Sequence, residues 1–295
     1  MIRSIRFRLE AWLISALLAG LGRLRPETAS NLGGVIARTI GPHVKVSRVA
    51  DANLRLAMPE LGAAARTRII RGCWDHLGRT AGEFPHAHAL GRTASGPGWE
   101  LEGEEHAQAI FAKGGPAIFF SGHIGNWEVF TSSASSFGAQ VATFYRAASN
   151  PLVDAIIVAR RGAGGAPQFA KGANGARNAM THLRAGGFLG MLVDQKMNDG
   201  IAVPFFGHSA MTAPAAAALA IRYGAKLVPV HAERIGPARL RLICEPPLAM
   251  PQTGDRHADI AALTLAMNQH LERWIRARPE QWLWLHRRWP KENTR

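Results

Sequence analysis

The 295-residue sequence predicts an α/β fold, in which a central mixed sheet is flanked by helices and preceded by an N-terminal helical arm. From about residue 98 onward, short apolar runs alternate with stretches of helical periodicity, which is the pattern of strands joined by helices. Residues 26–90, by contrast, have helical periodicity with no strand pattern between the helices. Hydrophobic residues make up 47% of the chain and charged residues 19%, so the composition is that of a folded protein.

Residues 1–25 are predicted to form a helix that associates with a membrane. An uncharged stretch, residues 11–22, has arginines on both sides. A helix over this stretch extends about 18 Å, which is shorter than the roughly 30 Å of a bilayer hydrocarbon core. We therefore expect the helix to lie in the interface, with its arginines on anionic headgroups, rather than to span the bilayer. A cleavable signal peptide and an ordinary helix packed on the protein are the alternatives.

Three helices are expected between residues 26 and 90. Pro26 lies near the start of the first helix, Pro59 ends the second, and residues 63–84 form the third. The alternating part is predicted to contain strands 115–121, 140–145, 188–193, 226–231 and 239–244, and helices 125–137, 151–161, 174–185, 212–223 and 256–277. No internal repeat or low-complexity linker interrupts the chain, so we interpret it as one domain preceded by a helical arm. The predicted regions are residues 1–25, a helical region packed on the core at 26–95, and one α/β core at 96–295.

Charge and cysteine content narrow the partners and the compartment. The formal net charge is +14, which favours an anionic partner such as a membrane surface, nucleic acid, an acidic protein or a phosphorylated substrate. Arginine that arises from GC-rich coding is the alternative explanation of this charge. Cys73 and Cys244 stand alone, without a C-x-x-C motif, which indicates a reducing compartment and argues against a cysteine metal cluster.

The segment GHIGNWE at residues 122–128 carries the main chemical signal. It follows the apolar run predicted as strand 115–121, and His123 is the one histidine with an acidic residue, Glu128, five positions later. In open α/β sheets the ligand crevice lies at the carboxyl ends of the strands. Histidine can take a proton from a hydroxyl near neutral pH, and a carboxylate in the first turn of the next helix can reach back to orient it. In the competing interpretation, Glu128 only favours the helix N-terminus and His123 is a hydrogen-bonded turn residue.

Motifs of several other site classes are missing from the sequence. There is no G-x-S-x-G elbow, so a histidine and a carboxylate without a nucleophile favour direct transfer to a substrate hydroxyl. There is no G-K-[ST], GAGG at 162–165 lacks the G-x-G-x-x-G spacing, and HAH at 86–88 has no third ligand at zinc spacing. We therefore expect no nucleotide, no metal and no other cofactor. Nucleic acid is not expected as a partner either, because a basic helix and an RNP-like aromatic strand are lacking.

Six segments, in the right order, resemble the late acyltransferases of lipid A biosynthesis, the lauroyl and myristoyl transferases. The segments are ANLRLAMPE at 52–60, GHIGNWE at 122–128, YRAASNPLVDAIIVARR at 145–161, GMLVDQ at 190–195, VPFFGHSAMT at 203–212 and PEQWLWLHRRW at 279–289. That family belongs to the glycerophospholipid acyltransferase superfamily, which carries the HX4(D/E) motif. Ala147 departs from the proline that the family often has after YR, and the apolar N-terminal segment is shorter than a usual anchor in these enzymes.

The resemblance implies an O-acyltransferase that moves a fatty acyl group from acyl carrier protein, or acyl-CoA, to a hydroxyl of a lipid A precursor. By the same resemblance, His123 deprotonates the hydroxyl, Glu128 supports His123, and the alkoxide attacks the thioester without a covalent acyl-enzyme. We expect a peripheral or monotopic enzyme at the cytoplasmic face of the anionic inner membrane, acting in lipopolysaccharide biosynthesis. The alternatives are another membrane glycolipid or aminolipid as acceptor and, in a different class, a non-catalytic basic protein that binds membrane surfaces.

Four further residues are predicted to bind substrate at the same sheet edge. Arg146 follows a strand and Arg161 ends a helix, so both are expected to face the crevice and to hold a phosphate or the thioester oxygen. Asp194 and Gln195 end another strand and should enter the crevice from the carboxyl edge of the sheet. A buried Asp194 can pair there with Arg161, in a role that is structural or catalytic.

The aromatic segments near the C-terminal part of the chain allow more than one interpretation. Thr212 is predicted to cap the helix that starts there. Phe205 and Phe206 are expected in the core, with the lining of an acyl pocket as the alternative. The tryptophans of residues 279–289 stand among histidine and arginines, a mixture that is typical of membrane interfaces.

Overall fold

The computed structural model describes residues 2–290. The chain begins with four helices, which are α1 Ile2–Arg23, α2 Pro26–Ile40, α3 Ser47–Ala57 and α4 Ala63–Glu83. The prediction of three helices between residues 26 and 90 is confirmed, and Pro26 occupies the first turn of α2. Helix α3 ends before Met58, whose backbone is no longer helical. Proline at the next position disfavours helical backbone in the residue that precedes it.

Nine strands and six further helices follow. The strands are β1 Gly98–Glu102, β2 Ala117–Ser121, β3 Val141–Tyr145, β4 Gln168–Ala170, β5 Phe188–Leu192, β6 Lys196–Phe205, β7 His208–Thr212, β8 Lys226–Gly236 and β9 Arg239–Cys244. The helices are α5 Glu104–Lys113, α6 Phe130–Ser135, α7 Pro151–Arg161, α8 Ala173–Arg184, α9 Ala215–Tyr223 and α10 Arg256–Ala277.

Seven strands form one sheet in the order β1-β9-β8-β2-β5-β3-β4, and β6 and β7 form a separate antiparallel hairpin. Neighbours in the large sheet are parallel except for β8 and β9. The predicted α/β fold with a central mixed sheet is therefore confirmed. Because β2, β5 and β3 are parallel neighbours, the segments that follow Ser121, Leu192 and Tyr145 meet at one edge of the sheet.

Some elements differ from the predicted ones. Strand β1 and helix α5 lie within residues 98–113, where the sequence predicts no element. The hairpin of β6 and β7 is also absent from the predicted elements. Most of β6 is exposed or half-buried, so its sequence lacks a clear apolar period. Thr212 does not cap a helix, because it ends β7 and its hydroxyl donates to the carbonyl of Ala210 at 2.9 Å.

The predicted helix 125–137 is shorter than expected. The chain first makes a 3-10 turn at Trp127–Val129 and then the six-residue helix α6. Helix α6 has the sequence FTSSAS, and the hydroxyls of Ser132 and Ser133 donate to backbone carbonyls three residues earlier. Serine competes in this way with the helical hydrogen-bond pattern, which shortens the helix.

The tryptophans of residues 279–289 lie in the core, so the expectation that they form a membrane interface is wrong. Trp282, Trp284 and Trp289 are at most 1% exposed. The ring of Trp289 stacks on Phe205 with 5.5 Å between centroids. Phe205 and Phe206 are also buried, as expected for the core. These aromatic side chains fill the space between the hairpin β6–β7 and the large sheet, where the removal of apolar area from water stabilises the fold.

A second apolar cluster lies on the other face of the sheet, under α5. Four phenylalanine rings meet there with centroid distances between 5.2 and 6.3 Å, from Phe111, Phe119, Phe137 and Phe188. Phe111, Phe119 and Phe137 of this cluster line the cavity described below.

The N-terminal helices pack closely on one another and on the sheet domain. A Cβ added at Gly33 of α2 would lie 2.1 Å from the carbonyl oxygen of Gly78 of α4, so only glycine permits this approach. Helix α1 is attached to the start of α7, where the Asn150 amide donates to the carbonyl of Phe7 and the carboxylate of Glu10, both at 2.9 Å. No helix within residues 2–290 is long and apolar enough to cross a membrane.

Candidate active site

The turn after β2 presents His123. Strand β2 is buried along its whole length, and the chain leaves it through Gly122. Gly125 has φ +59, and a Cβ there would lie 2.2 Å from the carbonyl oxygen of Ala232, so the turn needs glycine at this position. The side chain of Asn126 then accepts a hydrogen bond from the backbone N–H of Glu128 at 3.1 Å and starts the 3-10 turn.

The carboxylate that contacts His123 is Asp194, which follows β5. Nδ1 of His123 lies 2.8 Å from Asp194 Oδ1, and the backbone N–H of His123 donates to Oδ2, also at 2.8 Å. The indole N–H of Trp282 donates to the same Oδ2 at 2.8 Å. Asp194 is fully buried. Burial by itself raises the pKa of its carboxyl, but the positive charge that His123 carries when protonated, together with the hydrogen bonds of His123, holds that pKa well below its ordinary value.

An ionised Asp194 fixes the tautomer of the histidine. A carboxylate without a proton can only accept, so Nδ1 of His123 donates, and in the neutral imidazole the lone pair is then on Nε2. The side chain of His123 is 17% exposed and lines the cavity at the sheet edge. The imidazole is therefore held in the form that can accept a proton from a group in the cavity.

Glu128 pairs with Arg161 at the end of α7. Nε of Arg161 donates to Glu128 Oε2 at 2.8 Å, and Nη2 donates to Oε1 at 2.5 Å. The indole N–H of Trp127 also donates to Oε1, at 3.1 Å. Burial lowers the pKa of the Arg161 guanidinium, but the bonds to Glu128 outweigh this effect and raise it overall. Such a two-bond arginine–carboxylate pair fixes both side chains.

Two predicted pairings are therefore wrong. The sequence predicts that Glu128 orients His123 and that Asp194 can pair with Arg161. In the structure, Asp194 contacts His123 and Glu128 contacts Arg161. The reason is topological. Strand β5 lies directly beside β2 and parallel to it, so Asp194, the second residue after β5, meets His123, the second residue after β2. Glu128 lies beyond the tight turn at Gly125, where it meets the end of α7.

One cavity, of about 840 Å³, brings the predicted site residues together. Its polar lining includes His123, Glu128, Arg146, Arg161 and Gln195. Arg146 is exposed, and Gln195 is half-buried. Asp194 lies buried beneath His123. The five lining residues that the sequence predicted therefore line one cavity.

Much of the remaining lining of the cavity is apolar. The lining residues of this part are Trp99, Leu101, Ala107, Phe111, Phe119, Phe130, Ala134, Phe137, Val141, Val230, Leu242 and Cys244. Several of them, including Ala107, Phe119 and Cys244, are buried core residues. The cavity thus combines exposed cationic side chains with buried apolar ones, the arrangement that an amphiphilic ligand requires.

Sequence reasoning missed three residues of the site. Lys171, after β4, and Lys196, at the start of β6, add two cations to the lining. Neither belongs to a recognisable motif, although Lys171 follows a strand as Arg146 does. The sequence predicts Trp282 as an interface residue, whereas its bond to Asp194 depends on the fold of the segment that contains it.

The model of a protein family described as bacterial lipid A biosynthesis acyltransferase matches residues 3–291 of the chain. The match therefore covers nearly the whole sequence and includes every residue of the site described above. No curated protein sequence matches the chain at a significant level.

Proposed function

Because this chain belongs to the bacterial lipid A biosynthesis acyltransferase family and is therefore an acyltransferase, we propose that His123 is the general base of its transfer reaction. In this proposal the acyl donor is acyl carrier protein and the acceptor is a hydroxyl of a lipid A precursor. The observation that supports it best is the bond between His123 Nδ1 and buried Asp194, beside a cavity with an apolar interior.

The proposed reaction proceeds in one displacement. Nε2 of His123 takes the proton of the acceptor hydroxyl while the hydroxyl oxygen attacks the carbonyl carbon of the acyl thioester. A carbon–oxygen bond forms, the carbon–sulfur bond breaks, and the proton passes from His123 to the leaving thiolate. No acyl group is attached to the protein, and no group beyond the side chains and the two substrates takes part.

Asp194 is proposed to position His123 and to stabilise its protonated form. The carboxylate of Asp194 accepts from Nδ1 of the His123 ring and from the backbone N–H of His123, so it fixes both the imidazole and the turn that carries it. When Nε2 takes a proton, the new positive charge lies next to a buried negative charge. Glu128 is proposed to act through Arg161, which it holds at the wall of the cavity.

The cations at the opening are proposed to bind the polar parts of the two substrates. Arg146, Arg161, Lys171 and Lys196 all line the cavity, and Arg146 and Lys171 are exposed. Together with Gln195 they can bind phosphate groups or the carbonyl oxygen of the thioester, on which negative charge develops. An acidic carrier protein fits this opening by charge, and acyl-CoA is the alternative donor.

The apolar interior of the cavity is proposed to hold the acyl chain of the donor. A chain there removes its methylene groups from water, at about 0.8 kcal/mol for each group. Phe111, Phe119 and Phe137 of the phenylalanine cluster line this part of the cavity.

The enzyme is proposed to work at the cytoplasmic face of the inner membrane, attached through α1. The outer face of this helix exposes apolar side chains by 54 to 66%, from Ile5, Leu9, Trp12, Leu13 and Leu17. The flanking Arg6 and Arg23 suit anionic headgroups. Because α1 is bonded to the start of α7, and α7 ends with Arg161, this apolar face and the cavity belong to one packed unit.

The test is transfer by purified enzyme from acyl carrier protein to a lipid A precursor, followed by mass spectrometry of the product. His123→Ala should lower kcat by about 10² to 10⁴, because a positioned base is lost. His257→Ala, which changes an exposed histidine at the start of α10, is the matched control and should leave kcat unchanged. If His123→Ala transferred acyl groups at the wild-type rate, the proposed base would be wrong. An acylated product formed only from another glycolipid would change the acceptor.

A further inference from the structure

A second carboxylate next to the site has no part in the proposed reaction. Glu83 is the last residue of α4 and is fully buried. Ionised carboxylates are rarely buried without partners, because the loss of hydration is costly. The environment of Glu83 consists of hydrogen-bond donors from four different parts of the chain.

Three donors meet one oxygen of this carboxylate. Oε1 of Glu83 accepts from the hydroxyl of Ser30 at 2.6 Å, from the backbone N–H of Ala238 at 3.0 Å and from the guanidinium of Arg234. Ser30 belongs to α2, and Arg234 and Ala238 belong to β8 and the turn after it. These bonds join the N-terminal helices to the sheet.

The other oxygen of Glu83 contacts the active-site turn. Oε2 accepts from the side-chain amide of Asn126 at 2.7 Å. Asn126 is fully buried, and its own side-chain oxygen accepts from the backbone N–H of Glu128 at 3.1 Å. Because the amide nitrogen of Asn126 faces a carboxylate, its oxygen must face Glu128. Glu83 therefore fixes the orientation of the Asn126 side-chain amide, whose oxygen caps the 3-10 turn.

We propose that Glu83 is a positioning residue for acyl transfer, which acts by fixing Asn126 and through it the placement of Glu128 and Arg161. A structural ion pair with Arg234 would not explain why the second oxygen faces the turn that carries His123 and Glu128. Only a carboxylate can accept from four donors without presenting a donor of its own. This inference rests on the proposed function, since it assumes that the Glu128–Arg161 pair serves the reaction.

The first test is Glu83→Gln. The one oxygen of a glutamine at 83 is expected to face the donors of Ser30, Arg234 and Ala238, so its NH2 group faces Asn126. Asn126 then either loses its bond to residue 83 and is no longer fixed, or turns its oxygen towards residue 83, in which case the backbone N–H of Glu128 loses its acceptor. We expect kcat to fall about tenfold to a hundredfold, because small displacements at a catalytic site are costly. The KM for the acyl donor should change less than about twofold.

The second test is rescue by Glu83→Gln combined with Asn126→Asp. An aspartate at 126 accepts both from the glutamine amide at 83 and from the backbone N–H of Glu128, so the polarity of the connection is restored with one carboxylate in total. The double variant should regain most of the lost kcat. Asn126→Asp alone places two carboxylates in contact and should be as impaired as Glu83→Gln.

Ser30→Ala is the control for a purely structural role. It removes a donor from Glu83 but leaves the bond to Asn126. It should lower Tm and leave kcat unchanged. If Glu83→Gln does not fold, Asn126→Ala replaces it, since the other three donors of Glu83 then remain, and the same fall in kcat is expected.

The inference would be overturned by wild-type kcat in folded Glu83→Gln or Asn126→Ala, or by a double variant no more active than the product of the single effects. These outcomes are separate from a failure of the proposed function. If the proposed function were wrong, wild-type enzyme would not acylate the precursor, or His123→Ala would remain active, whatever the variants at residue 83 do.

Discussion

Asp194 is bonded to three donors, which are the ring and backbone nitrogens of His123 and the indole of Trp282. Burial of an ionised carboxylate is unfavourable unless such bonds compensate for the lost hydration. In this site they do, and the pKa of Asp194 stays below its ordinary value. The same contacts thus hold the histidine and keep the carboxylate charged, so the orientation of the proposed base and the stability of the fold depend on one group.

Asp194→Asn is expected to lower kcat about tenfold or more and to change how stability depends on pH. Because the pKa of Asp194 is depressed in the folded state, its charge stabilises the fold above the ordinary carboxyl pKa of about 3.9, and this contribution is lost as pH falls further. The difference in free energy of unfolding between wild type and variant should be largest near pH 7 and shrink between about pH 5 and pH 2. Urea unfolding at several pH values measures it. A difference that stays constant would contradict the charged state of Asp194.

Arg161 and Glu128 should behave as one unit in kinetics. Arg161→Ala is expected to lower kcat/KM at least tenfold, or about 1.4 kcal/mol, and Glu128→Ala should have a similar effect. The double variant should lose little more than either single one, because each change already breaks the pair. Arg160→Ala, the neighbouring arginine on α7, is the control and should change kcat/KM little. Losses that simply add in the double variant would show that the two residues act separately.

Among the elements, those with clear end signals were predicted best. Helix α7 has the predicted bounds 151–161, because Asn150 caps it by accepting from the backbone N–H of Leu152 and Pro151 occupies its first turn. Helix α10 also has its predicted bounds, and Asp255 accepts from two backbone N–H groups at its start. The hairpin β6–β7 lacks such signals, since much of β6 is solvent-exposed.

The candidate site could be predicted in its membership but not in its contacts. The ends of strands and helices placed His123, Arg146 and Gln195 at one edge of the sheet, because parallel strands have their carboxyl ends together. Which carboxylate meets His123 depends on which strand lies beside β2, and sequence spacing does not contain strand order. The five-residue spacing to Glu128 therefore suggested the wrong orienting partner, although Glu128 does line the cavity.

Helix α1 is expected to bind bilayers through its exposed apolar face. Trp12→Glu together with Leu17→Glu places two charges on this face and should release much of the protein from vesicles that contain anionic lipid. Ala64→Glu, on an exposed position of α4, is the control for an added charge and should leave binding unchanged. Vesicle co-sedimentation measures the bound fraction. Unchanged binding of the double variant would place the contact elsewhere, and the exposed side chains of α2, Leu32, Val35, Ile36 and Ile40, would be tested next.

For the whole molecule, the division into residues 1–25, 26–95 and 96–295 stays a prediction. The N-terminal helices nevertheless contact the sheet domain through buried polar groups. Glu83 of α4 bonds to Arg234 of β8, and Asn53 of α3 donates to the carbonyls of Trp284 and His286 at 2.9 and 2.7 Å. Separate expression of the α/β core would expose these partners without their bonds, and unpaired buried polar groups are costly.

The net charge of +14 should appear in the kinetics as salt dependence. If the donor is an acidic carrier protein, kcat/KM for acyl carrier protein should fall steeply as salt rises to physiological strength, where the Debye length is about 8 Å. An acyl pantetheine thioester, which has no carrier protein attached, is the control and should show a weaker dependence. Salt-independent kcat/KM, or a clear preference for acyl-CoA, would instead identify CoA as the donor carrier.

The order in which the chain is synthesised determines when the candidate site can form. Asp194 and its donor Trp282 are 88 residues apart. The neighbours of Trp282 also bond to the turn after β2. The Leu283 N–H donates to the carbonyl of His123, and the Gln281 carbonyl accepts from the N–H of Gly125. Ribosomes add about 5 to 20 residues each second, so a nascent chain carries His123 and Asp194 for roughly 4 to 18 seconds before the segment that holds them exists. The apolar face of α1 leaves the ribosome well before that. A growing chain therefore presents this apolar face before it can assemble the candidate active site.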